Sequence, residues 1–425
     1  MKSFRWINII MMAALLVGGC SIGGTKQKEI QLKVLTLYNS QFPGYQSYLE
    51  HKFPGTTFEF VKIDDILRKE NVAPDNRNER IAQIIDEQDA DLYFGFDPDN
   101  YMDSAVTVDL AQLIARDRLP LNDIQQQMVD WGTDSDGKVN GLSPTFTRET
   151  LYINKKLFNE AGLPEPQSPM TWEQFREAAK QLKEKEPSAI GYEMEASAYW
   201  PFLLPWLGDY ILGASRVDHD KKLTLAGPEW RQMAQEVVED IKEKRMRADG
   251  YNPDYKERLH TGMFVSNSNY VYSLLSGNQS AQSWIIAGLP KAASNLRSTP
   301  FLPTASFYMD NKSKYTEQMW EMIAYLMSEE AAADISTLSV AGGFVTYPQH
   351  VKIGLFQLDA VFQVEGDVPA NDAYRLTNEA QTKLDSILMS QFTAMTTGLS
   401  DFDKGWASLE QAVQDINDDP SNFIP

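Results

Sequence analysis

Short apolar runs alternate with amphipathic segments along residues 30–95, and this alternation limits the possible fold more than any other feature. The apolar runs are typical of strands, at residues 30–38, 56–63 and 91–95. The segments between them are typical of helices, at residues 44–53 and 78–88, the second with Ile81, Ile84 and Ile85 on one face. Strands that alternate with helices in this way predict a parallel sheet covered by helices.

The carboxyl ends of the first and third strands form the first candidate ligand site. In open α/β sheets, ligands lie beyond the carboxyl ends of the strands. Tyr38 and Asn39 follow the first predicted strand, and Asp97 follows the third. We therefore expect these three side chains to face a ligand.

The rest of the chain continues the mixed pattern. Residues 149–154 are typical of a strand. Thr171 and Gln174 have the spacing of a capping box that begins another helix, and Pro228 favours the start of a further one. Residues 134–137 lack the spacing and the distal Glu of an EF-hand, so we expect a hairpin turn there and no metal site.

The first twenty residues have the features of a targeting segment. Two basic residues precede an apolar run over residues 6–17, which is too short to span a bilayer. Small residues then lead to Cys20, the sole cysteine, which resembles the acylated cysteine of bacterial lipoproteins. We expect residues 1–19 to be a cleaved signal peptide, and residues 20–29 to be the lipidated cysteine and a flexible tether.

Charge and motif content argue against several classes of function. The formal net charge of −20 repels phosphate backbones, so we expect no nucleic-acid partner. The four histidines are scattered along the chain, and no P-loop is present in the sequence. We expect no catalysis, no cofactor and no bound metal.

Several separated blocks of the sequence resemble one protein family. Residues 141–166, followed by T-W-E-Q-F at 171–175, are similar to the extracellular solute-binding proteins of the maltose-binding type (family 1). Further similar blocks are residues 91–95, 109–114 and 320–330 and the pair Gly342-Gly343. The resemblance implies an α/β, two-lobed periplasmic-binding-protein-like fold (type II), in which each lobe is a sheet flanked by helices and crossover hinge segments join the lobes.

The resemblance also implies how the chain is divided and what it does. One lobe would hold residues 30–143 and 303–340, and the other residues 148–300 and 343–425. A monomeric lipoprotein on the outer face of the cell membrane would close its lobes on a solute, for which we expect a carbohydrate, and deliver it to the permease subunits of an ABC importer. A non-sugar solute (polyamine, peptide or organic acid) and a surface sensor role stay open.

Candidate contacts in the second lobe follow from the resemblance and from the chemistry of sugars, which are bound by aromatic rings and planar polar side chains. The family often places an aromatic contact before a proline, which indicates Tyr199 and Trp200, with Glu195 slightly upstream. Trp200 also fits a place in the core. The other candidates in this lobe are Asn267, Asn269 and Tyr270.

Thr145, Phe146 and Arg148 lie in the first crossover, at the floor of the expected cleft. Phe146 fits either a ligand contact or a plug that fills the hinge. Arg148 fits either a contact with an anionic ligand, such as a uronate, or an ion pair with a neighbouring carboxylate.

Overall fold

The structure is a computed structural model of the 425-residue chain. It describes residues 29–38, 42–102, 104–134, 136–194, 199–218, 220–248, 258–277, 282–337, 342–364, 366 and 375–424. The predicted signal peptide, Cys20, most of the tether, Asn39 and Glu195 lie outside the described residues.

Over residues 30–94 the strands and helices follow the predicted order, except that an additional helix comes directly after the second strand. The strands are β1 Ile30–Thr36, β2 Thr56–Lys62, β3 Leu92–Phe94, β4 Thr145–Thr147, β5 Glu149–Asn154, β6 Ile190–Met194, β7 Met246–Arg247, β8 Thr261–Asn267, β9 Trp284–Ala287, β10 Leu302–Pro303, β11 Phe307–Met309, β12 Phe344–Val345, β13 Arg375–Leu376 and β14 Phe423–Ile424. The α-helices are α1 Phe42–Lys52, α2 Ile63–Lys69, α3 Arg77–Gln88, α4 Leu110–Asp117, α5 Asp123–Gly132, α6 Lys155–Glu160, α7 Trp172–Lys185, α8 Trp200–Trp206, α9 Pro228–Lys242, α10 Tyr270–Ser276, α11 Thr316–Leu326, α12 Glu329–Ile335, α13 Asp359–Phe362, α14 Asn378–Thr397 and α15 Phe402–Asn417.

The first lobe is built on a sheet of order β11-β3-β1-β2. β1 pairs in parallel with both β2 and β3, which confirms the parallel opening predicted from the sequence. β11 joins antiparallel to β3 from more than two hundred residues later in the chain. On α3, the predicted face of Ile81, Ile84 and Ile85 is buried, because it covers this sheet.

The second lobe is built on a sheet of order β7-β6-β8-β5-β9. β6 pairs in parallel with β7 and β8, while β5 lies antiparallel to β8 and β9. The predicted capping box at the start of α7 is present, with both of its reciprocal bonds between Thr171 and Gln174. α9 begins at Pro228 as predicted.

Three chain crossings meet between the lobes in a small sheet of order β10-β4-β12. β4 lies in its centre and pairs antiparallel with both neighbours. Next to β12, a Cβ added at Gly343 would lie only 2.5 Å from the Phe146 carbonyl oxygen and 2.5 Å from Thr304 Oγ1. Glycine is therefore required for the third crossing to approach the first this closely.

Each lobe has its own hydrophobic core, and a third cluster joins them. The core of the second lobe includes residues of α14 and α15, so the end of the chain packs there. The third cluster surrounds β4 and includes Phe146, Phe264, Phe301 and Phe344. Within the described residues, no helix has both the length and the apolar character that a membrane span requires.

Candidate ligand cleft

The contacts between α1 and α12 show how the last helix of the first lobe packs on its first helix. Lys52 pairs with Glu330, and Tyr48 Oη lies 3.1 Å from Asp334 Oδ2, so the two helices run in opposite directions. The end of α12 therefore lies beside the middle of α1. The start of α1 follows the carboxyl end of β1, the edge at which ligands of such sheets bind.

A cavity of about 810 Å³ opens at this end of α12. Its described lining comes from both lobes and from the third crossing: Asn269, Tyr272, Ser336, Thr337, Gly342, Gly343, Phe344, Val345, His350, Val351, Lys352 and Ile353. The volume lies within the usual range for small-molecule sites. A ligand in this cavity would touch parts of the molecule that move relative to one another if the lobes close.

Tyr272 is the most exposed aromatic ring in the lining. Its ring stacks on Phe344 with centroids 5.8 Å apart and an interplanar angle of 26°, while 46% of its surface stays exposed. Partial burial raises the pKa of its hydroxyl. Tyr272 is not among the residues predicted from the sequence, although it lies three residues after Asn269 and such spacing places two residues on one helical face.

Asn267 and Asn269 shape the turn between β8 and α10. Asn267 Oδ1 accepts from the Asn269 N–H at 3.1 Å, and Asn269 Nδ2 donates to the Gly342 carbonyl at 2.6 Å. The second bond ties this turn to the third crossing. Tyr270 instead turns into the joining cluster, where its ring lies 4.8 Å from Phe264 and 5.5 Å from Tyr152.

The carboxyl end of β1 is followed by Tyr38, which is 58% exposed. Arg77 and Tyr101 lie near it. The Arg77 guanidinium donates to Asp64 Oδ1 at 2.8 Å, and this bond raises the pKa of Arg77 and lowers that of Asp64. Tyr38 therefore offers an exposed ring at the edge predicted for ligands.

Asp97 also lies at this edge, and its carboxylate is engaged. Oδ2 accepts from Asn140 Nδ2 at 2.9 Å and Oδ1 from the Asp99 N–H at 3.0 Å. Burial raises the pKa of Asp97, while Asn140 and the Asp99 N–H oppose that shift. In this conformation Asp97 fixes the loop after β3.

Phe146 and Thr145 fill the space between the crossings. Phe146 has no exposed surface and lies between the rings of Phe301 and Phe362, with centroids 5.0 and 5.6 Å away. Thr145 is fully buried, and its hydroxyl lies 2.8 Å from that of Thr304. Of the two interpretations of Phe146, its burial favours the plug of the hinge.

Arg148 joins three segments of the chain. Nη1 donates to the Gln363 carbonyl and Nη2 to the Thr299 carbonyl, each at 2.7 Å, and the guanidinium lies 4.4 Å from the ring centroid of Phe301. The acceptors of these bonds are main-chain oxygens. The sequence predicted either an anionic ligand or a carboxylate as the partner of Arg148, and main-chain oxygens are neither. The side chain is buried, so it is not presented to the cavity.

Tyr199 and Trp200 have different environments. Trp200 is 4% exposed and stacks on Phe392, with centroids 4.1 Å apart and an angle of 19°. Its burial favours the core interpretation. Tyr199, at the start of α8, is 52% exposed and remains the aromatic group of this pair that a ligand could reach.

The match to a protein family decides the class of this protein. Residues 81–351, more than half of the chain, match the family described as bacterial extracellular solute-binding protein. The chain belongs to this family. No curated protein matches its sequence at a significant level. A group of His, Cys, Asp and Glu side chains that could hold a metal ion is not found within the described residues.

Solved structures of other proteins have the same two-lobed architecture as this solute-binding protein. A sugar-binding protein from Xanthomonas citri superposes with a TM-score of 0.66 at 14% identity, over 92% of this chain and 98% of its own. An ABC substrate-binding protein from Listeria monocytogenes in complex with cycloalternan gives 0.61 at 18%, over 91% and 98%. A sugar transporter from Rhizobium etli in an open conformation gives 0.62 at 16%, over 91% and 99%. At these identities the likeness shows the fold.

Proposed function

We propose that this solute-binding protein is the substrate-binding lipoprotein of an ABC importer and that it captures a sugar or oligosaccharide between its lobes. The observation that carries the proposal is the cavity of about 810 Å³, which both lobes and the third crossing line. An exposed aromatic ring, Tyr272, and planar polar side chains in the lining suit the C–H faces and hydroxyls of a sugar. The structurally similar proteins from Xanthomonas citri and Listeria monocytogenes, described as a sugar-binding protein and as a complex with cycloalternan, support the same class of ligand.

The lobes close around the crossings and the permease receives the loaded form. We assign residues 30–143 and 303–340 to one lobe and residues 148–300 and 343–425 to the other. The membership of the two large sheets supports this division, because their strands come from these segments. The narrow sheet β10-β4-β12 lies where the chain passes between the lobes. Such hinge closure around a ligand is a known class of motion.

The ligand contacts divide into exposed and supporting residues. Tyr38, Tyr199 and Tyr272 are exposed and present aromatic rings, while Asn269 lines the cavity. The resemblance to the family adds Asn39 and Glu195. The residues that support the site from within are Asp97, Thr145, Phe146, Arg148, Trp200, Asn267 and Tyr270.

A cationic solute such as a polyamine fits the cavity less well. The chain has 59 acidic residues, yet the described lining of the cavity contains neither Asp nor Glu. A polyamine needs carboxylates to replace the water that its ammonium groups lose. The lining therefore favours the sugar over the polyamine alternative.

The remaining features describe where and how the protein works. Cys20 carries the lipid that anchors a monomer to the outer face of the cell membrane after residues 1–19 are removed. The chain catalyses no reaction, in keeping with a family of binding proteins. Its acidic charge suits a small-molecule ligand better than a nucleic acid.

Thermal unfolding of residues 21–425 with a panel of solutes tests this function. The panel contains monosaccharides, oligosaccharides, uronates, polyamines and peptides. A ligand that binds only the folded form stabilises it by about 2.7 kcal/mol at a hundredfold excess over its dissociation constant. We expect a saccharide to raise the melting temperature and Tyr272→Ala to reduce that increase. An increase with a polyamine or a peptide but with no saccharide would overturn the proposal.

A further inference from the structure

Lys352 is a cation of the cavity lining that has no ion-pair partner among the described residues. The other basic side chain of the lining, His350, has its Nε2 3.2 Å from Glu329 Oε1. The cations near Tyr38 and Asp97 are also paired. The Lys138 ammonium group lies 2.7 Å from the Asp99 carboxylate, and the Arg77 guanidinium lies 2.8 Å from the Asp64 carboxylate. Lys352 is exposed, so its ammonium group is available to a ligand.

Two acidic groups near the cleft, Asp64 and Asp97, are used within the protein. Asp64 receives bonds from Arg77 and Arg68, and Asp97 accepts from Asn140. Neutral sugars are held most strongly by carboxylates that accept bonds from their hydroxyls. The described lining of the 810 Å³ cavity has no such carboxylate and contains Lys352, so the charge of this cavity is complementary to an acidic ligand and not to a basic one.

A second cavity, of about 640 Å³, adjoins the first. Val351, Lys352 and Ile353 line both cavities, so Lys352 stands where the two meet. On one side of this position lies the exposed ring of Tyr272. On the other lies a pocket lined by Phe356 and Phe362, with Asp359 as its acidic residue. A sugar chain of more than one ring could therefore occupy both cavities and place one substituent beside the ammonium group.

We propose that the ligand is a saccharide bearing a carboxylate, such as a uronic-acid oligosaccharide, and that Lys352 binds this carboxylate while a sugar ring lies on Tyr272. The inference rests on the proposed function and adds the charge of the substrate. A lysine gives the carboxylate a point charge, while the aromatic ring accepts the C–H face of the sugar. Arg148, the cation that the sequence first indicated for a uronate, is buried among main-chain carbonyls.

Calorimetric titration with matched pairs of saccharides tests this inference. Each pair, such as galactobiose and the digalacturonate of the same linkage, differs only in its carboxylates. We expect the acidic member of a pair to bind at least tenfold more tightly. Added salt should weaken only the acidic member, because screening acts on charge pairs.

Substitution of the lysine assigns the effect to one residue. Lys352→Gln should remove the preference for the acidic member, whereas Lys352→Arg should retain most of the preference. Lys180→Gln, on the exposed side of α7, is the matched control and should bind both as the native protein does. Equal or tighter binding of neutral saccharides, or an unchanged preference in Lys352→Gln, would overturn the inference alone. A panel in which no saccharide of either kind binds would overturn the proposed function as well.

Discussion

At the scale of single residues, the buried polar groups around the cleft hold segments in place and the exposed ones are left for ligand. Arg148 shows the first role, because its guanidinium satisfies carbonyl oxygens of two distant segments. Tyr272 shows the second, because Phe344 supports one side of its ring while much of the remaining surface is exposed. This division predicts that stability and affinity respond to different substitutions.

Arg148→Met should lower the free energy of unfolding while the folded protein keeps its affinity. The substitution leaves the carbonyls of Thr299 and Gln363 without their donors, and each buried unsatisfied group costs about 1–3 kcal/mol. Urea unfolding measures the loss, with Lys180→Met as the exposed control. A variant of native stability that no longer binds saccharide would show that Arg148 is a ligand contact instead.

The contacts of Asp99 predict that this residue makes a pH-dependent contribution to the free energy of unfolding. Burial opposes its ionisation, but bonds from Lys138, Thr107 and the Val106 N–H outweigh burial and hold the pKa of Asp99 below its ordinary value of 3.8. A lowered pKa in the folded state means that the carboxylate stabilises above pH 3.8 and that this contribution is lost as the pH falls through the folded-state pKa. Asp99→Asn should therefore be less stable than the native protein near neutral pH, by an amount that shrinks in acid.

Chemical unfolding of Asp99→Asn at several pH values measures this contribution. Asp136→Asn, at an exposed turn position, serves as the control. A stability difference between Asp99→Asn and the native protein that stays constant from neutral pH to acid would contradict the assignment.

At the scale of elements, the sheet β10-β4-β12 sets how the lobes are joined. The third crossing approaches the first at Gly343, where a Cβ would meet main-chain and side-chain atoms at 2.5 Å. Gly343→Ala should push β12 away from β4, lower the melting temperature and weaken saccharide binding, because the cavity lining includes residues 342–345. Gly288→Ala is the matched control, since a Cβ there has no atom within 4 Å. Equal melting temperatures and affinities for the two variants would show that the close approach does not matter.

At the scale of the whole molecule, the sequence predicted the architecture better than the cleft. The strands and helices of residues 30–95 and the capping box at Thr171 are local patterns, and the structure confirms them. The environment of an aromatic ring is decided elsewhere in the chain. Trp200 is covered by Phe392, nearly two hundred residues later, and nothing near Trp200 in sequence indicates this contact.

The same reason explains why Tyr272 and Lys352 were missed. In the sequence, Tyr272 has the position of an ordinary residue of an amphipathic helix, and Lys352 is one of 39 lysines and arginines. Only the fold brings α10 and the segment after the third crossing to one cavity. Family resemblance indicated the turn before α10, but it did not distinguish Tyr270, which packs inward, from Tyr272, which is exposed.

The distance between the lobes in solution tests the central claim most directly. The mature chain without Cys20 has no cysteine, so Gln112→Cys on α4 and Lys180→Cys on α7 accept a pair of fluorescent labels without competition. We predict that a saturating saccharide shortens the distance between the labels, while spermidine leaves it unchanged. A saccharide that binds by calorimetry and leaves the distance unchanged, or a distance that shortens with spermidine alone, would contradict capture of a sugar by closure of the two lobes.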